Sequence, residues 1–62
     1  MRKIKFTKDF FVSELVCIEQ NTEMLLGENK DEFLICSYGG EVIGRFDYSL
    51  MDEVYSHFNI LN

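Results

Sequence analysis

Few side chains in this 62-residue sequence could do chemistry. Cys17, Cys36 and His57 are the only cysteines and the only histidine. Together they could make a thiol–imidazole nucleophile pair, or three of the four ligands of a zinc site. Their spacing supports neither reading. The interval between the cysteines is far longer than C-x-x-C and matches no zinc motif. Each cysteine sits in an apolar run, so both are expected as reduced, buried thiols. His57 is expected on the polar side of a helix, near its C-terminal end, where positive charge is favoured.

The carboxylates offer two adjacent pairs, Asp31-Glu32 and Asp52-Glu53, with Asp47 between them in sequence. Paired acids could share a proton or hold Mg²⁺. Neighbouring residues on a helix do not face the same way, however, and Asp31-Glu32 borders a turn, where solvated charge is ordinary. No D-x-[DN]-x-[DN]-G loop is present. Gly39, Gly40 and Gly44 form no phosphate-binding pattern. The residues therefore predict no catalytic site, no metal site and no cofactor, and the chain is expected not to be an enzyme.

The elements that position these residues are clearest from Asp31 to Tyr48, read DEFLICSYGGEVIGRFDY. Two apolar runs flank Gly39-Gly40, a pair suited to a two-residue hairpin turn because its central positions need positive φ. That turn sets Ser37 opposite Val42, Cys36 opposite Ile43, Ile35 opposite Gly44, Leu34 opposite Arg45 and Phe33 opposite Phe46. Phe33, Ile35, Val42, Phe46 and Tyr48 then make a core face. Leu34, Cys36, Tyr38 and Ile43 make the other, with Glu32, Glu41, Arg45 and Asp47 at its margins. Gly44 marks a bulge or a close approach of helix to sheet.

Arg2 to Lys8 alternates, with Ile4 and Phe6 on one side, and predicts a short half-buried strand, whose exposed lysines would also suit a sheet edge. Asp9 to Gln20 reads as strand with a bend near Ser13; its alternative is a helix capped by Thr7. Gln20 to Thr22 and Gly27 to Asp31 read as turns, with a short segment at Glu23 to Leu26 between them. Ser49 to Leu61 predicts an amphipathic helix. Ser49 is its N-cap and Asp52 and Glu53 fill the first turn. Leu50, Val54, Phe58 and Leu61 form its apolar stripe. Asn59 and Asn62 mark its fraying end. The expected architecture is a single α+β domain: a small antiparallel sheet of three or four strands, packed against one C-terminal helix. The alternative is β-α-β-β-α.

Charge bounds the partners. The net charge is −5. Arg2, Lys3, Lys5 and Lys8 carry all the charge of the first eight residues. Beyond them, eleven acids oppose only two cations, Lys30 and Arg45, a balance of −9. Such a surface repels nucleic acid and anionic membrane and attracts a basic protein. No apolar run approaches the roughly 18 residues that would span a bilayer, and no signal peptide is read, so a cytoplasmic location is expected. In size and acidity the chain resembles small phage and mobile-element products, a resemblance that carries no site.

The functional expectation is a non-catalytic module that binds another protein through a basic surface on that partner. Its narrower form is an inhibitor occupying a nucleic-acid groove. The alternative is a homo-oligomeric structural or accessory subunit. The expected interface is an apolar patch at Leu34, Tyr38 and Ile43, rimmed by Glu32, Glu41 and Asp47.

Overall fold

The hairpin after Asp31 is the middle of a longer meander. The computed structural model describes residues 1–61; Asn62, predicted as part of a fraying helix end, lies outside them. The strands are β1 (Arg2–Phe6), β2 (Phe10–Phe11), β3 (Cys17–Ile18), β4 (Glu23–Glu28), β5 (Glu32–Cys36) and β6 (Val42–Asp47). A 3₁₀ turn (Tyr48–Leu50), the helix α1 (Met51–Tyr55) and the strand β7 (Phe58–Leu61) complete the chain. Five strands form one antiparallel sheet in the order β6-β5-β4-β1-β7, and β2 and β3 pair as a separate hairpin arm. The expected class, an antiparallel sheet with one C-terminal helix, is the class observed; the alternative with a helix at residues 9–20 is not.

Alternation along the strands explains the core. Ile4 and Phe6 of β1, Met24 and Leu26 of β4, and Phe33 and Ile35 of β5 are all buried on one face. The arm and α1 cover that face through Phe10, Ile18 and Val54. Phe33 is fully enclosed, stacked on Phe46 at 5.4 Å and met edge-on by Tyr55 at 5.1 Å.

The expected register survives for three pairs: Phe33–Phe46, Leu34–Arg45 and Ile35–Gly44. It fails nearer the turn. Ser37 bonds to Glu41, and Cys36 opposes Val42. The turn places only Gly40 at positive φ (90°), with the Gly40 N–H donating to Ser37. A bulge at Ile43 then restores the pairing. One shifted turn residue thus exchanges the faces of Val42 and Ile43: Val42 is exposed, and Ile43 lies against the core. At Gly44 the close neighbours are not the helix but the Phe46 ring and Val12 of the arm. A Cβ there would lie 2.8 Å and 3.0 Å from them.

Two other expectations about the strands change. β1 is an inner strand, not an edge, because β4 and β7 flank it. The turn after β4 spans fewer residues than predicted, with Gly27 and Glu28 still in the strand. There the Asn29 side chain accepts from the N–H groups of both Asp31 and Glu32, at 2.9 Å each, and holds the turn.

The predicted long helix ends early. Asp47, not Ser49, caps the 3₁₀ turn, accepting the Ser49 N–H at 2.8 Å. Continuation of α1 would require the Glu53 carbonyl to accept the His57 N–H. Instead that carbonyl takes the Ser56 hydroxyl at 2.6 Å and the His57 ring Nδ1–H at 2.9 Å. The His57 N–H turns to Val54, and the chain leaves as β7.

Candidate functional site

The arm is the part of the molecule whose surface is least explained by folding. Its inner side is fastened. Phe10, opposite Ile18, stacks on Phe6 at 5.8 Å and touches Phe46 at 5.8 Å and His57 at 4.8 Å. At its base the Asp9 carboxylate accepts the Gln20 N–H at 2.8 Å, and the Asn21 N–H donates to Phe6 at 2.7 Å.

Its outer side carries Phe11 opposite Cys17, both exposed. The tip is a tight turn from Ser13 to Val16. The Ser13 and Val16 N–H groups each donate to the other's carbonyl, and the Ser13 Oγ accepts the Leu15 N–H at 3.4 Å. This turn holds Leu15 almost wholly in solvent (95%), and Val16 and the two-thirds-exposed Phe11 are exposed on the same arm. Exposed apolar side chains are ordinary when scattered, but three large ones on one arm are not. Glu14 and Glu19 bracket Leu15 and Val16 in the sequence, and no Lys or Arg lies between Asp9 and Gln20.

Where the arm rests on the sheet there is a cleft of about 260 Å³, lined by Val16, Cys17, Ile18, Glu19, Thr22, Met24 and Ile43. The expectation of two buried thiols is therefore corrected. Cys36 is buried, but Cys17 is exposed because it occupies the β3 position opposite in sense to the buried Ile18.

The predicted interface is split. Glu32, Leu34 and Asp47 share the outer sheet face by register, and Tyr38 and Glu41 lie at its turn end. Ile43 does not join them; the bulge turns it to the other side, into the cleft. Much of what remains is already engaged. Arg45 forms an ion pair with Glu32 at 2.8 Å. The Tyr38 hydroxyl donates to Glu23 at 2.8 Å, and that carboxylate raises the phenol's pKa. The Ser49 N–H lowers the pKa of Asp47. Leu34 is half-buried, and the Met1 side chain reaches the adjoining Gly27.

A second polar cluster lies at the other end of β4. Glu28 accepts the Tyr55 hydroxyl at 2.7 Å and pairs with Arg2 at 2.6 Å. The Tyr55 hydrogen bond, with Arg2 adding to it against partial desolvation, lowers the pKa of Glu28. Burial and the same carboxylate push the Tyr55 phenol far up. These groups tie α1 to the sheet. His57 is committed to the Glu53 carbonyl and to Phe10, distant in role from either thiol. Among the described residues no cluster of His, Cys, Asp or Glu could hold a metal ion, and no helix is long and apolar enough to cross a membrane.

Comparison with known proteins yields no match: no family model, no curated protein and no solved structure is similar to this chain.

Proposed function

We propose that this chain is a non-catalytic protein-binding module whose recognition element is the β2–β3 arm. The observation that carries the reading is Leu15, held 95% exposed on a hydrogen-bonded turn, with Phe11 and Val16 exposed on the same arm. A turn closed by its own hydrogen bonds has little conformational freedom left to lose on binding, which favours affinity. An apolar tip between Glu14 and Glu19 fits a partner pocket that is apolar at its centre and basic at its rim. Burying a leucine contributes about 2 kcal/mol, or roughly 30-fold in Kd.

The test compares wild type with Leu15→Asp and with Glu14→Lys/Glu19→Lys in affinity capture from the source lysate. All three should fold alike, because these side chains are in solvent. A protein retained by wild type should be lost by Leu15→Asp, and at low salt should be weakened by the charge reversals. Retention of that protein by both variants, as by wild type, refutes the arm as the recognition element.

A further inference from the structure

The two edges of the five-stranded sheet are built differently. The β6 edge carries the devices that discourage pairing with another chain: the bulge at Ile43, Gly44, and the charges of Arg45 and Asp47. The β7 edge carries none. Its residues, Phe58, Asn59, Ile60 and Leu61, include no charge, no proline, no glycine and no bulge.

Its main-chain groups are also placed for pairing. The Thr7 N–H donates to the His57 carbonyl at 2.8 Å, and the β1–β7 register continues through Lys5–Asn59 and Lys3–Leu61. In an antiparallel ladder successive residues direct these groups to opposite sides. His57, Asn59 and Leu61 thus face β1, and the N–H and C=O groups of Phe58 and Ile60 face outward. Among the described residues neither makes a further hydrogen bond outside the sheet. Ile60 sits opposite the fully buried Ile4, yet is 38% exposed, because no strand lies beyond it.

We infer that β7 pairs with β7 of a second copy of this chain, antiparallel about a two-fold axis at Asn59. This register matches outward-facing residues with outward-facing residues over the whole strand. Phe58 of each copy then opposes Ile60 of the other, and their free main-chain groups satisfy one another. Phe58 and Ile60 extend the core face across the junction, covering Ile60. Asn59 meets its own equivalent on the outer face, in a non-hydrogen-bonded pair where side chains are closest and two amides can bond. The uncharged strand is what allows the approach, since each copy carries −5 overall. The occupant is the chain itself because two identical strands in this register, and in no other, pair both outward-facing residues, Phe58 and Ile60, at once.

The register is testable by a thiol. In a Cys17→Ser background, Asn59→Cys places two thiols at a Cα separation of about 4.5 Å, within disulfide geometry. Under mild oxidation it should form an intermolecular disulfide at least about tenfold faster than Lys5→Cys, an exposed site one strand further in, because pairing raises the local thiol concentration. Sedimentation of the wild type should show mass doubling with concentration, strengthened by salt, which screens the like charges. Ile60→Lys, a charge facing the junction, should abolish it. If that variant fails to fold, amide exchange of the wild type decides: Phe58 and Ile60 should gain protection as concentration rises. A chain that stays monomeric at about 1 mM, the concentration scale of weak association, overturns the inference. So does a dimer in which Asn59→Cys links no faster than Lys5→Cys, or concentration-independent exchange at Phe58 and Ile60. Loss of arm binding in Leu15→Asp leaves this junction intact, so the two readings fail separately.

Discussion

Phe10 and Phe11 are adjacent, chemically identical and opposite in fate, which makes alanine at each a sharp test of how the arm is seated. Phe10 is 6% exposed and packs against the rings of Phe6, Phe46 and His57. Truncating a phenylalanine so enclosed costs at least about 3 kcal/mol. The whole stability of a chain this long is about 3–9 kcal/mol. Phe11 is 66% exposed, so folding recovers only a third of its ring, and its loss costs about 0.5–1 kcal/mol. At about 4–8 °C per kcal/mol, Phe10→Ala should lower Tm by about 12–24 °C and Phe11→Ala by no more than about 8 °C. The chain has no tryptophan, so the melts are best followed by far-UV circular dichroism. Equal losses, or a larger loss for Phe11, refute the reasoning. A one-residue slip of β2 exchanges the two rings, and the exposed cluster that defines the recognition arm would then be core.

Four further outcomes follow from the same geometry. Cys17 should react with Ellman's reagent at the rate of an open thiol, and Cys36 only as the protein unfolds; simultaneous labelling of both would contradict their placement. Glu28 has a depressed carboxyl pKa, so its contribution to stability is complete above its ordinary value of 4.5 and is lost as pH falls through the folded value; Tyr55→Phe should remove part of this acid sensitivity. Tyr55 has the opposite sign. Its raised phenol pKa contributes stability that is complete below 10.0 and lost as pH rises, so ultraviolet titration should show it ionising only with unfolding. Gly44→Ala should cost about 1–3 kcal/mol in urea melts, since the Phe46 ring it meets is wedged between Phe10 and Phe33, whereas Gly39→Ala, with Ser37 Oγ at 3.7 Å, should be nearly silent.

The local patterns were legible wherever one short-range signal outweighed the rest. Phe33, Ile35, Ile4 and Phe6 announce their strands by alternation, and a ladder needs no more than that to settle which face is buried. The turn chemistry of Gly40 and Asn29 was visible as residue type, though not as mechanism. Asn29 acts through its side-chain oxygen, which accepts two main-chain N–H groups of the turn.

The last segment failed for a physical reason. Leu50, Val54, Phe58 and Leu61 satisfy a helical stripe, yet Phe58 and Ile60 satisfy a strand equally well. The choice rests on the Glu53 carbonyl, which Ser56 and His57 take from the helix, and on a vacant edge of β1 that only the assembled sheet provides. The candidate site was hidden for a related reason. Residues 9–20 hold more apolar side chains than one face can bury, and sequence pattern cannot say which are surplus. The charge balance, the α+β class and the inward set of the central strands follow from residue type and period alone, because each depends on near neighbours. The shift of Ile43 into the cleft, the exposure of Phe11, Leu15 and Cys17, and the free edge at β7 were decided by tertiary structure, because each depends on what distant segments had already covered.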